Sequence, residues 1–181
     1  MNESDILAQI KERFGARVLA EYNFRGQYAV TVAPETLREL LVYLRDDKAI
    51  ELDWLMDVGG VDYLGYSDQA APDEDEREWR FEVAYQLYSM RLNHRFRVKV
   101  AVRDESVEVP SVWDLWAIAN WEEREVWDMF GVRFTGHPNL RRILCHDEFV
   151  GHALRKDYPI NKRQKLSQPS EMILCEKVEW A

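Results

Sequence analysis

Residues 79–102 limit the possible folds more than any other stretch of the chain. Trp79, Phe81, Val83, Tyr85 and Leu87 alternate with mostly polar residues, and Phe96, Val98, Val100 and Val102 alternate with a set that includes Arg95, Arg97 and Lys99. A period of two marks a strand with one buried face. The short connection over 90–94 makes the two strands a hairpin. A sheet with a single apolar face has to be covered by a second layer, so the rest of the chain must supply amphipathic helices.

Two such helices precede the hairpin. Ile6, Leu7, Ile10 and Phe14 recur at helical spacing behind Ser4, which is suited to N-capping, and Gly15 ends the run. Strands follow at 17–22 and 27–32, across a turn at 23–26. Pro34 then opens a helix in which Leu37, Leu40, Leu41 and Leu44 form one stripe. A third strand puts Ile50, Leu52, Trp54, Met56 and Val58 on one face and stops at Gly59 and Gly60. The acidic stretch 67–78 reads as an exposed loop. Beyond the hairpin, Pro110 and Ser111 lead into a helical region that runs to Phe130, with a break near Asn120 and Gly131 as its C-cap. The order αββαβββα is that of an α+β two-layer domain with a mixed or antiparallel sheet, spanning 1–131.

After Gly131 the character changes, and 132–181 reads as an extended basic arm. Residues 145–181 show no sustained period, carry Pro159 and Pro169, and include the run Lys162, Arg163, Gln164, Lys165. Such a stretch cannot bury enough apolar area to offset the entropy of ordering itself. It is either disordered or an arm that folds on a partner. Met172, Ile173, Leu174, Val178 and Trp180 favour the arm.

Charge and cysteine content narrow the function classes. The net charge is −9, yet residues 1–130 hold 15 Lys and Arg against 27 Asp and Glu, while 131–181 hold 9 against 6. An acidic body argues against nucleic-acid binding, which needs a concentrated basic footprint. The dilute basic arm suits an acidic protein surface better. No apolar run approaches the roughly 18 residues of a membrane span. The acidic N-terminus shows no leader, and two cysteines give no disulfide framework. A soluble intracellular protein is expected, one that can still dock on a membrane assembly.

The chemistry-bearing residues concentrate between 120 and 146. An acid–base–acid triplet, Glu123, Arg124 and Glu125, is followed by Asp128, by Met129, Phe130 and Gly131, by the turn Gly136, His137, Pro138, and by Arg141 and Arg142. Asn120 is placed to cap a helix over 121–130, with Glu123 reaching back as in a capping box. Arg124, Glu125 and Asp128 share a helix face opposite Val126 and Phe130. Carboxylates clustered on one face could bind a di-iron site, but such sites need Glu-x-x-His pairs and this helix has no His. The simpler reading is an Arg124–Asp128 pair with spare carboxylate for Arg141 or Arg142.

His137, Cys145, His146 and His152 form the best zinc candidate, and a zinc hydrolase using His137 and His146 is the reading it would support. Their spacing matches no common ligand pattern, and His137 before Pro138 is more simply a turn residue. A Cys145–His nucleophile has still less in its favour, since adjacency in sequence does not set a base against a thiol. An iron–sulfur cluster needs about four protein ligands, mostly Cys. There is no dinucleotide fingerprint, P-loop or Gly-x-Ser-x-Gly elbow. By elimination the chain reads as a binding and scaffolding protein without a cofactor of its own.

The run over 109–160 resembles the C-subunit family of NADH–quinone oxidoreductase, respiratory complex I. The resemblance rests on Glu123, Arg124 and Glu125, Asp128, Met129 to Gly131, Gly136 to Pro138, Leu140 to Leu144, and Leu154, Arg155, Lys156, Asp157, Tyr158 and Pro159. Residues 1–108 fit the family in length and element order only. Ala153 and Asn139 depart from the family pattern, as do Cys145 and His146. The resemblance implies a component without redox centres in the peripheral arm of a proton-pumping complex, on the cytoplasmic side of the membrane. The D and B subunits of complex I would be its neighbours, with NADH, flavin, iron–sulfur clusters and quinone bound elsewhere. The equivalent component of a membrane-bound hydrogenase or chloroplast-type oxidoreductase is the alternative. On this resemblance Glu123, Arg124, Glu125, Asp128, Arg141 and Arg142 would hold the junction of domain and arm. Leu154 to Tyr158 and the last ten residues would grip the D subunit.

Overall fold

The computed structural model describes residues 3–66, 78–104 and 106–165. Helix α1 (Glu3–Phe14) buries Ile6, Ile10 and Phe14 and leaves through a 3-10 turn at Gly15. Strands β1 (Val18–Phe24) and β2 (Gln27–Val32) pair antiparallel around Arg25 and Gly26, both at positive φ, as a two-residue hairpin turn requires. Helix α2 (Pro34–Asp46) follows, then β3 (Trp54–Asp62), β4 (Phe81–Ser89), β5 (His94–Val102) and the two-residue strand β6 (Val109–Pro110). Helix α3 (Ala119–Phe130) and the short β7 (Phe134–Thr135) complete the regular elements.

The five-stranded sheet has the order β1-β2-β5-β4-β3. Neighbours are antiparallel except β2 and β5, which run parallel from Ala29 opposite Arg97 to Val32 opposite Val100. The sheet is therefore mixed, with helices on one face. Val30, Val32, Phe81, Val83, Tyr85, Leu87, Phe96, Val98 and Val100 from that face pack with Ile6, Ile10, Leu37, Leu40, Leu41, Leu44 and Val126 in one core. Polar partners occupy the opposite face, where Lys99 meets Glu82 at 2.9 Å and Arg97 donates to Gln86 at 3.1 Å. Helix α3 lies along β3 at the sheet edge, so close that a Cβ on Gly60 would meet the Phe130 ring at 2.5 Å.

Several local expectations are corrected. Ser4 sits inside the first turn of α1 instead of capping it. Ile50 and Leu52 are buried but precede β3, because Glu51 is held at φ +47 in a turn whose amides close back on Asp47 and whose Leu52 N–H caps Leu44. Trp54 and Met56 are half exposed, and the strand continues through Gly59 and Gly60. A register irregularity between Leu55 and Asp57 puts Leu55 and Val58, three apart, on the buried face. The region 110–118 is not helical: β6 pairs parallel with β7, and turns lead to the start of α3 at Ala119. Residues 67–77 of the loop expected at 67–78, and the arm beyond Lys165, including Cys175 and the last ten residues, lie outside the described residues.

Candidate functional site

Helix α3 carries polar side chains inward, an arrangement that folding tolerates only where each finds a partner. Its first turn has no side-chain cap. Asn120 lies within the helix, and Glu123 reaches away from the expected capping box. The Glu123 carboxylate instead accepts from the Ser111 hydroxyl and, at 2.8 Å, from the Val112 N–H. It thereby fixes the segment that follows β6. Burial pushes this carboxyl up to about 7, against the lowering effect of those two donors. Nearby, the Tyr85 hydroxyl is buried without a hydrogen-bond partner among the described residues, and burial raises its pKa well above the usual value.

The expected Arg124–Asp128 pair does not form. Arg124 donates to the carbonyls of Arg141 and Arg142, at 3.0 and 3.3 Å, and stacks over Trp121. Asp128 takes Arg142 as its cation. Arg142 Nη1 donates to Asp128 Oδ1 at 2.5 Å, and the N–H groups of Ile143, Leu144 and Cys145 converge on Oδ2 at 3.1, 2.9 and 2.9 Å. Burial works against this carboxylate, but the three amides and the guanidinium outweigh it and hold its pKa below the usual range. Of the expected junction residues, Arg124, Asp128 and Arg142 come together, while Glu123 holds the segment after β6 instead. Glu125 points to solvent, and Arg141 contributes its carbonyl while its side chain is exposed.

A helix leaves its last carbonyls without intrahelical donors, and here the following segment supplies them. The Asp128 carbonyl lies 3.0 Å from His152 Nδ1, the Met129 carbonyl accepts from the Leu154 N–H at 3.1 Å, and the Phe130 carbonyl accepts from Arg155 Nε at 2.5 Å. Arg142 and Arg155 thus sit at the negative end of the helix dipole. Gly131 turns the chain at φ +81, and a Cβ there would strike Arg155 Nη2 at 2.1 Å and the His152 ring at 2.6 Å.

A second clasp lies one strand away. Buried Asp62, at the end of β3, accepts from Arg80, from the Leu64 N–H and, at 2.9 Å, from the Lys156 N–H. Arg80 also holds Asp157 at 2.9 Å. Tyr158 stacks on Phe149 and accepts from Gln164, whose side-chain amide pairs with the main chain of Val150. Residues 145–165 therefore have no regular secondary structure yet pack on their own domain. Asp62 and Arg80 carried no signal in the sequence, because they pair across 18 positions and their partners in the later segment, Lys156 and Asp157, lie 94 and 77 positions away.

The histidines do other work. His137 Nδ1 accepts from the Asn139 N–H at 3.0 Å while Nε2 faces the Asn120 carbonyl at 3.1 Å, and burial lowers its pKa. These contacts fix a neutral ring in the turn beside exposed Pro138. His152 is likewise held down by burial, and burial raises the Cys145 thiol. Both ring nitrogens of His146 are buried and unpartnered among the described residues. No three His, Cys, Asp or Glu side chains among the described residues converge as a metal site would need. The arrangement as built can immobilise a segment of chain against a helix end.

The family described as respiratory-chain NADH dehydrogenase, 30 Kd subunit, matches residues 30–164, which include both clasps. The chain is 40% identical over 164 residues to the NADH-quinone oxidoreductase C subunit of Roseiflexus castenholzii, covering 91% of this chain and 88% of that one. It belongs to this family. The corresponding C subunit of Geobacter sulfurreducens is 42% identical over 152 residues, covering 84% and 86% of the two chains. The solved trypsin-resistant fragment of Nqo5 superposes with a TM-score of 0.62 at 33% identity, over 77% of this chain and the whole of that one. A chain of the archaeal membrane-bound sulfane sulfur reductase shares the fold, with a TM-score of 0.58 at 23% identity over 80% and 77% of the chains. As a member of the C-subunit family, the chain is part of a membrane-associated respiratory complex, complex I. No helix among its described residues is long and apolar enough to cross a membrane.

Proposed function

We propose that this chain is a non-catalytic scaffold of the peripheral arm of complex I, docking on the D subunit beside the B subunit and supporting the quinone module. NADH, flavin, iron–sulfur clusters and quinone are bound on other chains, and the assembly faces the cytoplasm. One observation carries this reading. The segment after α3 is pinned to the body through its polar groups, while Leu144, Val150, Leu154 and Ile160 stand 61, 69, 52 and 103% exposed. A segment so fixed, with its apolar side chains turned out, is preorganised for a partner. Arg124, Asp128 and Arg142 keep the junction, and Leu154 to Tyr158 present the docking strip.

The test is a tagged pull-down from mildly solubilised membranes, comparing wild type with the double variant Leu154→Asp, Ile160→Asp. Recovery of the B and D subunits with quinone-linked NADH oxidation by the wild type, and loss of the D subunit by the variant, is the expected result. Full recovery of the D subunit by the variant would overturn the docking assignment.

A further inference from the structure

Glu125 is the one member of the acid–base–acid triplet that the clasp leaves unused. It is exposed on α3, one turn beyond Trp121, and has no hydrogen bond or ion pair among the described residues. Two more carboxylates share its surface. Glu122 on α3 feels both Asp57 of β3 and Glu125, and burial together with their negative charge holds its pKa above the usual range. Neither Glu122 nor Asp57 has a cationic partner among the described residues. Large apolar side chains are exposed on the same two elements or beside them. Ile118, just ahead of α3, and Trp121 on its first turn are 45 and 59% exposed, and Trp54 and Met56, preceding Asp57 on the edge strand, are each 51% exposed. The Trp116 indole, bonded to the Asp53 carbonyl at 2.8 Å, ties the approach to α3 to the start of β3 and keeps the two halves of the surface together.

The inward acids of α3 are matched, Glu123 by Ser111 and Val112 and Asp128 by Arg142. Here Glu122 faces two like charges, Asp57 and Glu125, and none of the three has an ion-pair partner among the described residues. The charge also selects the occupant. A second copy of the chain across a two-fold axis would set the same carboxylates against themselves, and like charges facing each other across an interface are strongly unfavourable. An anionic lipid surface or a nucleic acid fails for the same reason. The side chain that satisfies carboxylates and stacks on Trp is arginine, as this chain's own Arg124 already does over Trp121.

We propose that the α3–β3 edge, built from Asp57, Glu122 and Glu125 with Trp54, Ile118 and Trp121, docks an arginine-bearing segment of another protein of the same complex. This rests on the chain being a component of that complex. It names a face separate from the 144–160 strip.

The experiment is carbodiimide–glycinamide labelling of carboxylates in the purified complex and in the isolated full-length chain, read by peptide mass spectrometry. Asp57 and Glu125 should label in the isolated chain and be protected at least about tenfold in the complex, as burial against a cationic partner requires. The double variant Glu122→Lys, Glu125→Lys should keep the melting temperature of the isolated chain but be recovered in the complex at roughly a tenth or less of the wild-type amount. Equal labelling in both states, wild-type recovery of the variant, or protection accompanied by cross-links only between copies of this chain would each overturn the proposal. A wild-type chain that co-purifies with no respiratory protein would instead overturn the complex reading on which it rests, and the pull-down reports that separately.

Discussion

Arg142 donates from Nη1 to the Asp128 carboxylate and from Nη2 to the carbonyls of Phe149 and Gly151, each at 2.9 Å. One planar cation so joins a helix end to two points of an irregular segment. The other oxygen of Asp128 collects three consecutive amides of the same segment. A lysine could satisfy the charge, but not this fan of acceptors.

Replacing Asp128 with Asn should be severe. The side chain is fully buried and Arg142 is 12% exposed, and removing one partner of such a pair costs about 3–5 kcal/mol. An amide NH2 would also face backbone donors. Arg142→Lys should cost less, on the order of 1–3 kcal/mol, by leaving carbonyls unpaired. Denaturant midpoints measured on the isolated chain give both values. Because the Asp128 pKa is depressed in the fold, its contribution is present above the unfolded value and is lost as pH falls through the lower folded one. The difference between wild type and Asp128→Asn should therefore shrink only below about pH 4.

Glu123 predicts the opposite dependence. Its folded pKa of about 7 lies above the ordinary value of 4.5, so the fold binds a proton that the unfolded chain releases. Stability from this group is fully present below the unfolded pKa and declines as pH rises to the folded one. Glu123→Gln keeps an oxygen for the Val112 N–H and offers an NH2 to Ser111. It should be close to wild type at about pH 5 and more stable at about pH 8.5 by on the order of 2–3 kcal/mol. Parallel stability curves across that range would disprove the assignment of the proton to Glu123.

Asp62→Asn should loosen the second clasp without touching the helix end. The variant loses the ionic part of its bonds to Arg80 and weakens its hold on the Lys156 N–H, and Arg80 keeps only the half-exposed Asp157. Trypsin cleavage after Arg155 or Lys156 in the folded chain should then rise at least about tenfold, reflecting local opening of the segment. Cleavage unchanged from wild type would mean that the bonds to Leu154 and Arg155 suffice alone.

The difference between what the sequence reveals and what it conceals follows from range. Alternation in β4 and β5 and the leucine stripe of α2 are local patterns repeated along one element, and they are legible because every repeat reports the same buried face. The triplet marks α3 as special by composition. Its partners are not legible, because Glu123 reaches back to Ser111 across a turn and Asp128 reaches forward to Arg142 across β7, neither at helical spacing. Trp54 and Met56 fail as core residues because a bulge resets the strand period between Leu55 and Asp57. Residues 145–165 look unable to fold on apolar content, yet they pack on their own domain. They are ordered by carbonyls at a helix end and by two buried aspartates, a source of order that hydropathy does not record.

The turn at Gly131 separates backbone strain from contact. Gly131 and Gly136 sit at φ +81 and +78, so an alanine at either bears the same left-handed penalty, about 1–2 kcal/mol. Only at Gly131 does the new methyl meet anything: Arg155 Nη2 at 2.1 Å and His152 at 2.6 Å, against open space at Gly136. Gly131→Ala must displace Arg155 from the Phe130 carbonyl, leaving that helix-end acceptor unpaired at a further cost of about 1–3 kcal/mol. Gly136→Ala should lower the stability of the isolated chain by the strain alone and leave amide exchange at Leu154 and Arg155 in proportion to that loss. Gly131→Ala should accelerate exchange at those two amides well beyond its global effect. Equal behaviour of the two variants would show that the segment does not close on the end of α3.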